Sequence, residues 1–325
     1  MSNEVINRIP LSQKHRIVEF LNTHWGSNHP LVNNETLFSY YYVDGDMTNF
    51  YTLEDDDGIA AVCGYIKCSQ QPDSDIWISI WCAKKGKNGL GLALMGKMQE
   101  LTGAKVISCN NIRKNTMPFY TFLGYHPDGL NHYYRLRDLP QYKMAVVNNK
   151  NIPSCPAPST QLVRFYSIDE VAQHFSNFDS SKPAKDLWYV DRRYFKYPHY
   201  EYNVYGIFKD GKCDSLAVFR VNESEEGFVL RVVDFIGRPQ DIDGLCGHID
   251  SLMEQYDCEY CDMYCFGVDG SKAGFVLRTE EDTNIVPNYL NTLLQKNIDY
   301  YFFTSYTENF VMFEADGDQD RKNIE

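Results

Sequence analysis

Short, mainly apolar runs recur along the chain, and turn-forming residues punctuate them. Phe50 to Leu53 and Ile59 to Ile66 flank Asp57-Gly58, and Val204 to Phe208 and Ser215 to Val221 flank Asp210-Gly211. Strand, Asp-Gly, strand is a hairpin signature, because these residues accept the positive φ that a tight turn demands. The two turns lie 153 residues apart. The same offset carries the predicted strand Asp75 to Cys82 onto Phe228 to Phe235. A helical period follows each: Leu90, Leu94, Met98 and Leu101 in the first half, and Ile242, Leu245, Cys246, Ile249, Leu252, Met253 and Tyr256 in the second. Lys105 to Cys109 and Glu259 to Cys265 then predict strands, and Gly124-Tyr125 and Gly274-Phe275 follow them. Shared order and offset predict a tandem duplication of one α+β fold.

Pro153, Pro156 and Pro158 crowd residues 151–160, which can continue neither a helix nor an inner strand. The predicted units are therefore residues 1–150 and 151–325. The aromatic runs Tyr300 to Phe303 and Phe310 to Phe313 read as the closing hairpin of the second unit. The carboxylate-rich stretch Glu314 to Lys322 lacks the glutamate that closes a calcium loop and reads as a solvated tail.

Charge narrows the partners. With 31 Lys+Arg against 44 Asp+Glu the net charge is -13, which opposes nucleic acid and anionic membranes. The N-terminus lacks a signal-peptide core, and no run reaches the ~20 apolar residues of a membrane helix, so a cytoplasmic protein without membrane insertion is expected. The ten cysteines are expected to be free thiols. Cys258, Cys261 and Cys265 fall on a predicted strand that points them to different faces, and no metal is expected there.

The segment Trp81-Cys82-Ala83-Lys84-Lys85-Gly86-Lys87-Asn88-Gly89-Leu90-Gly91 carries the chemistry. A strand enters a glycine-rich turn and then an amphipathic helix, so free N–H groups and the positive end of the helix dipole converge on one spot. Such a turn binds phosphate, and Lys84, Lys85 and Lys87 add local positive charge. It lacks the Gly-Lys-Ser/Thr ending of a P-loop, and no acidic ribose ligand of a dinucleotide site follows.

Gly86-Lys87-Asn88-Gly89-Leu90-Gly91 instead resembles the pyrophosphate motif Arg/Gln-x-x-Gly-x-Gly/Ala of the GCN5-related N-acetyltransferase superfamily, with Gly86 in place of Arg or Gln. Tyr120-Thr121-Phe122-Leu123-Gly124-Tyr125 resembles that superfamily's Tyr-x-x-x-Gly-Phe signature. The resemblance implies two GNAT-like domains, each a mixed, mainly antiparallel twisted sheet flanked by helices. It implies acetyl-CoA or another short acyl-CoA as co-substrate, held by Trp81, Cys82, Ala83, residues 85–91 and Asn110. It assigns Tyr120 to protonate the departing thiolate, and the main-chain amides of Cys82 and Ala83 to the oxyanion.

The acceptor is expected to be a small-molecule amine. His24, Trp25, Asn28 and His29 lie in a polar, turn-rich segment after the first helix, with His29 the favoured proton relay. His132 and Tyr133 are placed on a strand at the cleft edge. Both segments resemble a bacterial subgroup linked to surface-polysaccharide and amino-sugar biosynthesis, which implies a nucleotide-linked amino sugar as acceptor. In the second half Pro239, Asp241 and Asp243 stand where the cradle would be, and no coenzyme is expected there. Two rival readings are a non-catalytic scaffold, which the missing Arg/Gln at Gly86 permits, and a Fem-like aminoacyl transferase, which the acidic charge opposes.

Overall fold

The computed structural model describes residues 4–290 and 292–320. Residues 1–3 of the N-terminus, and Arg321 and Lys322 of the expected tail, lie outside the described residues. The first half runs β1 (Val5–Pro10), α1 (Lys14–His24), α2 (Pro30–Asn33), α3 (Glu35–Tyr42), β2 (Val43–Asp44), β3 (Met47–Asp55), β4 (Gly58–Lys67), β5 (Ile76–Ala83), α4 (Asn88–Thr102), β6 (Ile107–Ile112), α5 (Met117–Phe122), β7 (His126–Gly129) and β8 (Asn131–Leu136). Then follow β9 (Gln161–Phe165), α6 (Ile168–His174), α7 (Leu187–Val190), β10 (Asn203–Lys209), β11 (Lys212–Ser224), β12 (Gly227–Ile236), α8 (Ile249–Gln255), β13 (Cys258–Phe266), β14 (Val276–Leu277), β15 (Tyr301–Thr304) and β16 (Met312–Phe313).

These strands form two mixed sheets of one pattern, β1-β3-β4-β5-β6-β15-β7 and β9-β10-β11-β12-β13-β8-β14, with β2 beside β3 and β16 beside β13. The parallel pairs are β5 with β6 and β12 with β13, at equivalent places in the two sheets. The second hairpin turns on Asp210 and Gly211 at φ 50° and 79°, between paired Lys209 and Lys212, as its sequence predicts.

One position in each sheet is filled from the other half of the chain. β15 lies between β6 and β7, with Phe303 in register with Cys109 and Pro127. β8 lies between β13 and β14, with Tyr134 in register with Asp262 and Val276. The cause is local: only Leu130 separates β7 from β8, too few residues for the chain to reverse, so the strands continue into different sheets. Leu130 N donates to Tyr300 O at 2.8 Å where the two crossing segments meet. The expected closing hairpin of 300–303 with 310–313 therefore does not form.

Helices α4 and α5 cover one face of the first sheet through Leu94, Met95, Met98 and Tyr120, joined by Tyr125 just after α5 and by Phe303. Helices α1 to α3 cover the other through Ile17, Leu21, Leu37 and Phe38, and that layer runs on into the second half through Tyr189, Tyr194, Val204 and Val218. The single helix expected over 242–256 is instead a 3₁₀ turn, Pro239–Leu245, and the short α8. Gly247 breaks them at φ +83°, where a side chain would strike Pro156 O and the Pro158 ring. Cys258, Cys261 and Cys265 lie on β13 as expected, but all three join one hydrophobic cluster and do not divide between faces; the even spacing of Cys261 and Cys265 puts those two on the same side of the strand. Among the described residues no helix is long and apolar enough to cross a membrane.

Candidate active site

β5 and β6 pair only at Ile76–Ile107 and Trp77–Ser108 and then part. Beyond that point β5 continues against β4 alone, with an irregularity at Ser79, between the paired residues Ile78 and Ile80. Lys84 N donates to Ala60 O at 2.8 Å, and the register Cys82–Val62 and Ile80–Gly64 follows from it. Antiparallel alternation then turns the main-chain groups of Cys82 toward β4 and those of Trp81 and Ala83 into the gap. The adjoining amides of Cys82 and Ala83 cannot both face the gap, so Trp81 and Ala83 are the pair it offers.

The loop after β5 turns at Gly86, φ +85°. Lys87 N donates to Lys84 O, and α4 starts at Asn88 with no side-chain cap. Leu90 N already donates to Lys87 O at 3.0 Å, so the N–H groups that precede the first helical bond are those of Asn88 and Gly89. A Cβ on Gly86 or Gly89 would meet nothing within 4 Å, so the cradle is open; one on Gly91 would lie 2.9 Å from the Ala83 Cβ. Gly91 thus sets how closely α4 packs on β5, and Trp81 Nε1 fixes the contact by donating to Gly91 O at 3.0 Å. Leu90 is half-buried in the same layer, while Lys85 and Asn88 are exposed at the loop surface. Lys87 departs from expectation: its Nζ lies 2.7 Å from Asp55 and 3.5 Å from Asp57, so its charge is held by carboxylates on β3 and the β3–β4 turn.

Tyr120 sits on α5 with its ring 4.2 Å from that of Phe303 and 5.9 Å from that of Trp81. Burial holds its phenol well above the ordinary tyrosine range, partly offset by the Thr116 hydroxyl, so the proton stays on at neutral pH. Asn110 is not open to a coenzyme. Its Nδ2 is surrounded by Phe313 O, Glu314 O and Asp316 O at 3.1, 3.3 and 3.1 Å.

The Glu314 and Asp316 carbonyls belong to the stretch expected to be a solvated tail. Instead Glu314, Asp316, Asp318 and Asp320 are all buried. Ala315 N donates to Val233 O and Phe313 pairs with Cys265, so residues 312–315 lie against both β12 and β13 of the second sheet. Two residues on, the backbone of Gly317 packs on Trp77 and Asn110, where β5 and β6 part. Cations from elsewhere compensate the carboxylates. Lys185 Nζ is 2.6 Å from Asp234 and 2.8 Å from Asp316, Arg193 Nε is 2.5 Å from Asp318, Arg220 is 3.6 Å from Asp320, and Arg231 is 3.9 Å from Glu314. Tyr202 OH also donates to Asp320 at 2.8 Å.

Burial pushes the Glu314 carboxyl up to about 7, more than Arg231 pulls it down. A carboxyl raised on folding binds its proton more tightly in the folded chain, so its contribution is complete below the unfolded pKa near 4.5 and is lost as pH rises to 7. Glu314→Gln should remove that slope. Denaturant titrations at pH 5 and pH 8 should show the wild type losing on the order of 2–3 kcal/mol more than the variant. Parallel losses would show that Glu314 titrates normally.

The candidate acceptor residues are spread apart. Trp25 packs on His29 at 4.4 Å between ring centroids, and His24 on Phe20 at 4.7 Å. His29 Nδ1 accepts from Leu31 N, capping α2, and Asn28, at φ 58°, donates its N–H to Asn22 Oδ1. This loop thus has a structural logic of its own. His132 and Tyr133 are not at an edge of the first sheet's cleft, because β8 belongs to the second sheet. His132 is buried flat on Tyr264 at 4.1 Å, beside Asp262, and burial lowers its pKa. Tyr133 is in the second sheet's core, against Gly270. The sequence reading missed Trp77, Phe303 and the 313–320 segment.

No family model and no curated protein sequence matches the chain. Solved structures do. A GCN5-related N-acetyltransferase from Anabaena variabilis ATCC 29413 aligns over 93% of this chain and 72% of its own, at 10% identity and TM-score 0.54. A conserved protein of unknown function from Enterococcus faecalis V583, described as a probable N-acyltransferase, aligns over 94% and 72% at 11% identity and TM-score 0.52. A GCN5-related N-acetyltransferase from Kribbella flavida aligns over 93% and 71% at 11% identity and TM-score 0.50. The two mixed sheets of one strand pattern and these alignments show the fold of the GCN5-related N-acetyltransferases.

Proposed function

We propose that the protein is a cytoplasmic acyl-CoA-dependent N-acyltransferase whose chemistry lies in residues 1–150, with 151–325 as a degenerate copy that supports or covers the acceptor side. The observation that carries this is the parting of β5 from β6 beside the uncapped start of α4, with Tyr120 buried next to Trp81. The open backbone at Gly86 to Gly89 fits a pyrophosphate. Acetyl-CoA or a short homologue would supply the acyl group as a thioester. The gap-facing amides of Trp81 and Ala83 would orient the thioester oxygen and take its developing negative charge as the amine nitrogen attacks. Tyr120 would pass its proton to the leaving sulfur. The ammonium formed must lose a proton, and His29 is kept as the proposed relay, acting through Nε2 since Nδ1 caps α2.

A nucleotide-linked amino sugar is the proposed acceptor, on the resemblance of residues 23–30. The second half is proposed to take no coenzyme: Pro239 and Asp241 sit where its cradle would be, and residues 312–315 lie between its parallel strands. A non-catalytic binding protein is the second reading, which Lys87 favours by spending its charge on Asp55 and Asp57.

Calorimetric titration with acetyl-CoA separates the two, since absence of binding removes the transferase reading. Gly89→Asp should weaken binding by about 100-fold, because a carboxylate would stand at the helix N-terminus against the pyrophosphate. The fold should survive, as the added side chain has open space and an acid in the first turn of a helix is favourable. Normal affinity in that variant would show the cradle is elsewhere. Tyr120→Phe should keep its stacking on Phe303 and its melting temperature while kcat falls about 100-fold with little change in acetyl-CoA affinity. Unchanged kcat would return Tyr120 to the core.

A further inference from the structure

Cys155, in the proline-rich stretch, and Cys246, between the 3₁₀ turn and α8, place their sulfurs 2.9 Å apart across 91 residues of sequence. We propose that these two thiols form a reversible disulfide, a covalent modification site that clasps the junction where β8 enters the second sheet.

The surrounding chain brings the sulfurs together without their help. Thr160 Oγ1 donates to Gly244 O at 2.6 Å, and His248 Nε2 lies 3.0 and 3.1 Å from Thr160 Oγ1 and O. Gly247 presses on Pro156 O and the Pro158 ring. Two short segments are thus pinned to each other on both sides of the thiol pair. Closing the bond shortens the separation only to the ~2.05 Å of a disulfide. A nearby staple anchors the same spot: Arg135 of β8 donates to Pro153 O at 2.8 Å, to Gly274 O at 2.7 Å and to both carboxylate oxygens of Asp250. A side chain on Gly274 would collide with the Cys155 sulfur, so glycine there keeps the space the thiol occupies.

Access separates this pair from the buried thiols. Of the ten cysteines, Cys109, Cys155 and Cys246 are partly exposed and the other seven are buried. Burial and the neighbouring thiol push the Cys246 thiol up to about 11. With a small-molecule disulfide as oxidant, the Cys155 thiolate attacks one of its sulfurs and expels the first small thiol. The Cys246 thiolate then attacks the Cys155 sulfur of the mixed disulfide and expels the second. Two protein thiols are oxidised and one external disulfide is reduced to two thiols.

The test treats the full-length native protein with oxidised glutathione, followed by alkylation under denaturing conditions, intact mass and peptide mapping. The expected result is a loss of two alkylatable thiols of the ten, a mass two units lower before alkylation, and one cross-linked peptide pair carrying Cys155 and Cys246. The melting temperature should rise by several degrees, because the bond closes a long loop in the unfolded chain, and dithiothreitol should reverse it. Cys155→Ser and Cys246→Ser should each abolish the linked peptide, whereas Cys109→Ser should not. Retention of all ten thiols, a stable glutathione adduct on either cysteine, or a link to any other cysteine would each overturn the proposal. The wild-type peptide map decides the matter even if a serine variant folds poorly.

Discussion

Residues 1–150 expressed alone are expected to give no folded coenzyme-binding domain, although the sequence reads as a unit ending there. The fragment lacks β15, so β6 loses the register Tyr301–Ile112, Phe303–Cys109 and Thr304–Ser108, and β7 loses the strand it pairs with. Tyr120 and Tyr125 lose Phe303, on which both stack, at 4.2 and 4.9 Å. Removing one buried phenylalanine side chain typically costs about 3–5 kcal/mol, a large part of a domain's stability, and here the strand goes with it. β8 would meanwhile trail as an unpaired strand with Tyr133, Tyr134 and Leu136 uncovered. Co-expression of 1–150 with 151–325 should restore both sheets by reciprocal exchange. The measurement is a melting curve and acetyl-CoA titration on the fragment and on the co-purified pair. A sharp transition and full-length affinity in the fragment alone would show that β15 is dispensable to the site.

That expectation marks where the sequence stopped being informative. Asp210-Gly211, the strand periods and the glycine loop are local features, and a side chain or turn carries the same preference wherever its neighbours come from. Asn131 to Leu136 has the same aromatic strand preference whether it joins the first sheet or the second, so its residues could not assign it. The lone Leu130 between two strand-like runs was the available signal, since one residue cannot reverse a chain. The acidic stretch failed for a different reason. Asp316, Asp318 and Asp320 read as solvated because carboxylates are almost never fully buried unless paired, and their partners Lys185, Arg193 and Arg220 lie 100 or more residues away. Arg193, set among Tyr189, Tyr194 and Phe195, was the clue that a cation needed a buried counter-charge. At the candidate site the loop and Tyr120 were legible as motifs, whereas the choice of Trp81 over Cys82 depended on a register that only the sheet defines.

Arg193→Met should be the most destabilising single substitution in the second half, by about 3–5 kcal/mol. The Arg193 side chain is fully buried, with Nε 2.5 Å from Asp318, Nη2 on Asp320, and Nη1 donating to Tyr202 OH at 2.6 Å. Methionine fills much of the volume but leaves two buried carboxylates without their main cation, with Arg220 3.6 Å from Asp320 as a remaining one. Arg193→Lys should fall between, since one compact ammonium cannot reproduce the fork that reaches both acids. The deficit should also depend on pH in a definite direction. In the wild type burial raises the Asp320 carboxyl, but Arg193 and Arg220 outweigh it and hold it below the usual range, so its contribution is present at neutral pH and lost on acidification. Without Arg193, burial dominates and raises these carboxyls, so the variant should lose stability as pH rises. Urea midpoints for wild type and Arg193→Met should therefore lie closer together at pH 5 than at pH 8. The triple substitution Arg193→Met, Asp318→Asn, Asp320→Asn should recover part of the loss at pH 8 by removing the uncompensated charge. If the two midpoints differ equally at both pH values, the charge pairing is not what holds residues 316–320. If they converge on acidification, the same ion pairs that stabilise the second half also hold Gly317 against Trp77 and Asn110, where β5 and β6 part to form the candidate site.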